Sequence, residues 1–174
     1  MMQDSDANDS RRYLTLTLGK ESFAISIDVV REILDYTDIT RIPQAPPFMR
    51  GVVNVRGAAV PVVDLAHKLG LGEVKRTIHT RIVIMEVIRD VVPSVMGALA
   101  DSVREVLELN AGDIAPPPLM GAQGKVDYLR GIGNHDGRFI LVLDVNQIFA
   151  TDELIDMAGL LTSTSPDAGA LISL

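Results

Sequence analysis

The chain has 174 residues; 47% are hydrophobic but only 4% aromatic, tryptophan and cysteine are both missing, and the formal net charge is −7. That length fits one good-sized domain or two small ones, and the core must be aliphatic, which favours strands over helices. The acidic balance speaks against a nucleic-acid partner, the lack of cysteine excludes disulfides and thiolate chemistry, and the interrupted apolar runs are too short for direct membrane insertion.

Residues 1–11 are polar and acidic, so they are expected to be disordered, and they do not form a secretory signal. Tyr13–Leu18 alternates apolar and polar residues, Gly19-Lys20-Glu21 is a turn, and Phe23–Ile27 returns as the second strand of a hairpin. Asp28 sits where an N-cap would, ahead of Val29–Leu34, which reads as a short helical turn or a further strand. Ile42-Pro43 and Pro46-Pro47 enforce an extended connection. Gly51-Val-Val-Asn-Val-Arg56-Gly57-Ala-Ala-Val-Pro61-Val-Val-Asp64-Leu65 is then a β-hairpin with a tight turn at Arg56-Gly57. Asp64 is placed to cap a short helix, Leu65–Leu69, which Gly70 ends. A polar loop at residues 72–80 marks the expected boundary between two halves.

The pattern then starts again. Arg81–Val87 is a strand, Arg89-Asp90 a turn and Val95–Ala100 the returning strand. Asp101-Ser-Val103-Arg104-Glu105-Val106-Leu107 repeats Asp28-Val-Val30-Arg31-Glu32-Ile33-Leu34 at an offset of 73. Ile114–Pro118 repeats the proline-rich connection, and an insertion around Met120–Lys125 raises the offset to 80. At that offset Gly51, Asn54, Gly57, Val62 and Asp64 meet Gly131, Asn134, Gly137, Val142 and Asp144. Asp144 would cap a final helix over residues 146–160, and a flexible Ser/Thr-rich tail is expected over residues 159–174. These repeats indicate an internal duplication in an all-β chain with short helices. Each copy of about five short strands should close into a small β-barrel with its own core, since closure removes exposed edges.

Nothing in the sequence assembles an active site. His67, His79 and His135 lack a second ligand at metal-binding spacing, and no Gly-x-Ser-x-Gly elbow or phosphate-binding loop is present. The chain is therefore expected to be no enzyme and to need no metal or cofactor. Asp64 and Asp144 open helices in equivalent places, so capping outweighs a catalytic carboxylate pair. Gly57 and Gly137 are turn residues shared by both copies. Arg56 is not shared: Asp136 occupies its place, and Asp-Gly is the pair a two-residue hairpin turn favours. Arginine is enriched at interfaces as a planar multi-donor anchor, which points to Arg56 as a partner-binding residue.

The hairpin from Gly51 to Leu65 resembles the signature of the CheW family of bacterial chemotaxis coupling proteins. Phe23–Ile33, Pro43–Met49, Gly97–Val106, Ile114–Pro116 and Tyr128–Gly131 agree, so the resemblance runs over residues 12–158. It implies two intertwined five-stranded SH3-like barrels, with chain exchange between them possible. It also implies a cytoplasmic adaptor, recruited to membrane receptor arrays, that joins chemoreceptor cytoplasmic helical tips to the regulatory domain of a CheA-type histidine kinase. Carried over by motif, the receptor-facing groove would involve Val30, Glu32, Gly51, Arg56, Ile82, Gly97 and Val103. Two departures stand out: the Ile88–Val95 hairpin is longer and more apolar than the family pattern, and Ala98 and Ala100 replace larger aliphatics. Rival readings are a CheW-like scaffold of a non-flagellar chemosensory pathway and a ligand-binding or enzymatic barrel.

Overall fold

The computed structural model describes residues 10–89, 91–117 and 128–149. Within them, β1 (Ser10–Leu18) and β2 (Glu21–Ser26) form the first hairpin, and β3 (Val30–Asp35) follows a one-turn 3-10 segment at Ile27–Val29. The second hairpin, β4 (Met49–Val55) and β5 (Ala58–Asp64), leads into helix α1 (Leu65–Lys68). The third is β6 (Arg81–Arg89) with β7 (Val92–Ala100), after which come β8 (Ser102–Asn110) and the short β9 (Ile114–Ala115). The last is β10 (Leu129–His135) with β11 (Arg138–Leu143), leading into helix α2 (Val145–Ile148).

The two expected turns match in backbone as well as position. Arg56 and Gly57 have φ of 53° and 88°, and Asp136 and Gly137 have 52° and 78°. Positive φ at both central residues defines the tight turn whose twist suits an antiparallel pair. Both capping aspartates also act as expected. Asp64 accepts from the N–H of His67, and Asp144 from those of Asn146 and Gln147.

The strands form two sheets, in the orders β8-β1-β2-β11-β10-β9 and β3-β6-β7-β5-β4. Neither sheet belongs to one copy of the repeat. The first hairpin, β1–β2, lies between β8 and β11 of the second copy, and β6–β7 lies between β3 and β5 of the first. The expectation that each copy would have its own core is therefore corrected. The larger core draws Leu16, Leu18, Phe23 and Ile25 from one sheet and Ile82, Ile84, Met96 and Leu99 from the other. A smaller one gathers Tyr13, Leu107, Leu109, Ile140 and Val142. The duplication explains the exchange, because the third strand of either copy fits either hairpin. Val30 aligns with Met85 and Val103 with Leu16, each next to a register shift.

Of the two alternatives for Val29–Leu34 the strand holds, because the edge of Val30–Asp35 pairs with β6. Two further expectations change. The cap before β3 is Ser26, whose hydroxyl accepts from the Asp28 N–H at 3.3 Å. β1 starts inside the segment expected to be disordered: Ser10 and Arg11 align with Asn110 and Leu109, and the Ser10 hydroxyl donates to Glu108 at 2.6 Å. The rest of the N-terminal segment, the Met120–Lys125 insertion and residues 150–174 lie outside the described residues.

Candidate partner-binding site

Three of the residues carried over by resemblance fall on one row across the sheet β3-β6-β7-β5-β4. Glu32 aligns with Ile84, Ile84 with Gly97, Gly97 with Val62, and Val62 with Gly51. Both glycines on this row sit where the backbone is crowded. A Cβ on Gly97 would stand 3.1 Å from Ile82 Cγ2 and 3.3 Å from Val62 Cγ2. One on Gly51, which has φ +143°, would run into the carbonyl of Thr40. Thr40 exchanges two backbone hydrogen bonds with Val52 at 2.9 and 2.8 Å, so it covers the outer edge of β4.

Arg56 joins the two ends of this row. It lies on the turn between β4 and β5, and its Nη2 is 3.2 Å from Glu32 Oε2 on β3. β3 and β4 are the two edge strands of the sheet, so the ion pair shows the sheet curling until its ends approach. The Arg56 side chain is 81% exposed and Glu32 is 26% exposed. An ion pair of that exposure contributes only about 0–1 kcal/mol to folding. The guanidinium keeps most of its donors toward solvent, held at the rim in one orientation. On the neighbouring strand position Arg31 pairs with Glu86 at 2.5 Å, so β3 takes part in two ion pairs, as the acidic member with Arg56 and as the basic member with Glu86.

The other residues carried over are placed differently. Ile82 is fully buried and aligns with Leu34 and Leu99, so it shapes the sheet from within and presents no surface. Val30 and Val103 are half-buried against the larger core from different sheets, Val30 on β3 and Val103 on β8. The structure thus brings Glu32, Gly51, Arg56 and Gly97 into one arrangement, with Ile82 beneath it. Val103 stays on the other sheet.

One pair escaped the sequence reading. Arg50 Nη2 donates to the buried Asp64 Oδ2 at 2.9 Å and also to the Val74 carbonyl at 2.5 Å. The same carboxylate accepts from the Val74 N–H at 3.0 Å, so Asp64 ties the hairpin, α1 and the following loop together as well as capping. Arg130 stands 3.7 Å from Asp144, and Asp64 and Asp144 donate their N–H groups to the carbonyls of Phe48 and Tyr128. Each of these is an offset of 80, so the signal was present one residue before the stretch read as the hairpin. A cavity of about 380 Å³ lies beside this pair, lined by Tyr36, Arg41, Gln44, Pro46 and Glu73 among others. The histidines stay apart: His67 is in α1, His79 is on an exposed turn, and His135 stands 3.3 Å from Asp136.

The family model of the CheW-like domain matches residues 12–153. The chain belongs to the CheW family. Chemotaxis protein CheW of Rhizobium meliloti is 32% identical over 146 residues, covering 84% of this chain and 92% of that protein. Chemotaxis protein CheW of Klebsiella aerogenes is 33% identical over 144 residues, covering 83% and 84%. Protein FrzA of Myxococcus xanthus is 29% identical over 134 residues, covering 76% and 80%. The crystal structure of the scaffolding protein TtCheW from Thermoanaerobacter tengcongensis superposes with a TM-score of 0.72 at 27% identity, covering 82% of this chain and 90% of that one. The two-sheet architecture with short helices is the CheW fold, and membership places the chain in a family of chemotaxis scaffolds. Among the described residues no helix is long and apolar enough to cross a membrane.

Proposed function

We propose that this CheW-family chain is an adaptor that couples chemoreceptor cytoplasmic tips to the regulatory domain of a CheA-type histidine kinase, in the cytoplasm at receptor arrays. The observation that carries the receptor side is the ion pair between Arg56 and Glu32 at the ends of one sheet row. A helical receptor tip would lie against the end of this sheet at the half-buried Val30, with the buried Gly51, Gly97 and Ile82 setting its curvature from behind. Arg56 at the rim would fix the helix's orientation. Helix-in-groove recognition needs this combination of apolar contact and a rim anchor. Such an adaptor performs no chemistry. It transmits a preference between kinase states only if it binds those states with different affinity.

A co-sedimentation assay with a receptor cytoplasmic fragment and the kinase regulatory domain tests this. Both partners should bind the native chain, and Arg56→Asp should lose receptor binding while keeping the native circular dichroism spectrum. Undiminished receptor binding by a folded Arg56→Asp variant would overturn the placement of the receptor site. A second reading, a CheW-like scaffold of a non-flagellar chemosensory pathway, is supported by the likeness to FrzA, a relative that does not carry the CheW name. Kinases and receptors co-purified from the native cell separate the two readings.

A further inference from the structure

The loop from Val74 to Arg81 reverses the sign of its surroundings. The chain as a whole carries a formal charge of −7, yet Lys75, Arg76 and Arg81 stand in this loop without one Asp or Glu. It leads into β6 where Arg81 aligns with Asp35, the end of β3 away from Val30. That point is three residues, roughly 10 Å, along the strand from Glu32, so the loop is separate from the rim at Arg56.

The loop is closed by its own hydrogen bonds, and its tip is apolar. The buried Thr80 hydroxyl accepts from the Thr77 N–H at 2.8 Å and donates to the Lys75 carbonyl at 2.9 Å. The Thr77 hydroxyl accepts from the His79 N–H at 3.0 Å, and Arg81 Nη1 donates to the Ile78 carbonyl at 2.8 Å. Between these ties Ile78 is 84% exposed. A side chain so exposed adds almost nothing to the core, and the ties keep the loop from turning it inward. A preorganised backbone that presents an apolar group lowers the ordering cost of association.

Beside the tip lies a cleft of about 580 Å³, lined by Asp35, Tyr36, Arg76, Ile78 and Arg81 among others. The Arg76 guanidinium lies over the Tyr36 ring, 4.5 Å from its centroid. Stacking holds the guanidinium in place and leaves its N–H donors, which lie in its own plane, available to an acceptor. Arg81 is more committed, with its Nε 3.4 Å from Asp35 Oδ1. Lys75 and Arg76 are both exposed.

We propose that this loop and cleft dock an acidic, amphipathic segment of a protein partner. Arg76 and Lys75 receive its carboxylates, and an aliphatic side chain next to them packs on Ile78. Charge complementarity sets the sign of the occupant, because the loop is a cationic point on an acidic chain. An inorganic anion would leave Ile78 in water, and a purely apolar segment would leave the cations without a counter-charge.

The test titrates the isotope-labelled full-length chain with three synthetic peptides of equal length, built from Leu-Glu, Leu-Lys and Ser-Glu repeats. The Leu-Glu peptide should shift the amide resonances of residues 75–81, and its affinity should fall roughly tenfold between about 0.05 and 0.5 M salt. The Leu-Lys peptide should cause no shift. Lys75→Glu/Arg76→Glu should abolish Leu-Glu binding and Ile78→Ser should weaken it severalfold, both with the native circular dichroism spectrum, since all three side chains are exposed. Equal binding of the Ser-Glu peptide would overturn the proposal, because the loop would then be a charge without an apolar contact. Shifts confined to residues outside the loop, or no binding at all, would refute it. Phosphatidylglycerol vesicles that engage residues 75–81 where the Leu-Glu peptide does not would replace the protein partner with a lipid surface.

Discussion

Arg56 and Glu32 meet at 3.2 Å although their strands stand at opposite ends of a five-stranded order. The tight turn sets the backbone at Arg56 to φ of 53°, a region that costs a non-glycine side chain roughly 1–2 kcal/mol. The second copy puts Asp136 at the same φ, and Asp tolerates that region better. The first copy thus spends backbone stability to hold a guanidinium at the rim.

Stability and binding should therefore separate at this position. Arg56→Asn suits the turn and gives up an exposed ion pair worth at most about 1 kcal/mol. Its melting temperature should match or exceed that of the native chain, while receptor-fragment affinity falls roughly tenfold, about 1.4 kcal/mol. Calorimetry paired with titration binding checks both halves. A variant that is less stable yet binds normally would show that Arg56 serves the fold.

Asp64 and Asp144 hold equivalent positions but unequal environments. Asp64 is fully buried and satisfies Arg50, Val74 and the start of α1, whereas Asp144 is 25% exposed with Arg130 at 3.7 Å. Removing one member of a buried pair strands the other, so Asp64→Ala should cost about 3 kcal/mol. Asp144→Ala loses chiefly a cap and should cost about 1 kcal/mol. Urea denaturation of the two variants makes the comparison, and equal costs would refute the unequal roles.

Local features were legible because they depend on neighbours in the chain. The turn at Arg56-Gly57 is one example, and in the structure the Asn54 Oδ1 accepts from the Gly57 N–H across it at 2.8 Å. Val30–Asp35 was ambiguous because Val-Arg-Glu-Ile-Leu suits either a helical turn or an edge strand, and only pairing with β6 decides between them. The exchange of strands between copies was not legible from periodicity, since duplicated strands offer each hairpin two equivalent partners. Glu32 and Arg56 lie 24 residues apart with no local pattern linking them, so only resemblance placed them together. Burial is a property of the folded sheet, and for that reason nothing in the sequence marked Ile82 as interior while Glu32 stayed half-exposed.

Two glycines of the second hairpin should respond to substitution for different reasons. At Gly51 the obstacle is steric, because a Cβ meets the Thr40 backbone, which is pinned by two hydrogen bonds to Val52. Gly51→Ala should cost about 2–3 kcal/mol and free the edge of β4. At Gly57 nothing lies within 4 Å of a Cβ, and only the φ of +88° resists. Gly57→Val should cost about 1–2 kcal/mol through the turn alone. Amide exchange at Val52 distinguishes them: it should quicken in Gly51→Ala and stay near native in Gly57→Val.

Val91 offers the opposite test, a substitution that should stabilise. It is a β-branched residue at φ of 62° on the β6–β7 turn, and it is 93% exposed. A β-branched side chain in the left-handed region is unfavourable, and so little burial gives nothing to offset the strain. Val91→Gly removes the steric cost, while the greater freedom of glycine in the unfolded chain returns part of the gain. The net effect should be a stabilisation of about 0.5–1 kcal/mol, read as a rise in the urea midpoint at constant slope. A fall in the midpoint would mean that the Val91 side chain makes a contact worth more than its backbone strain.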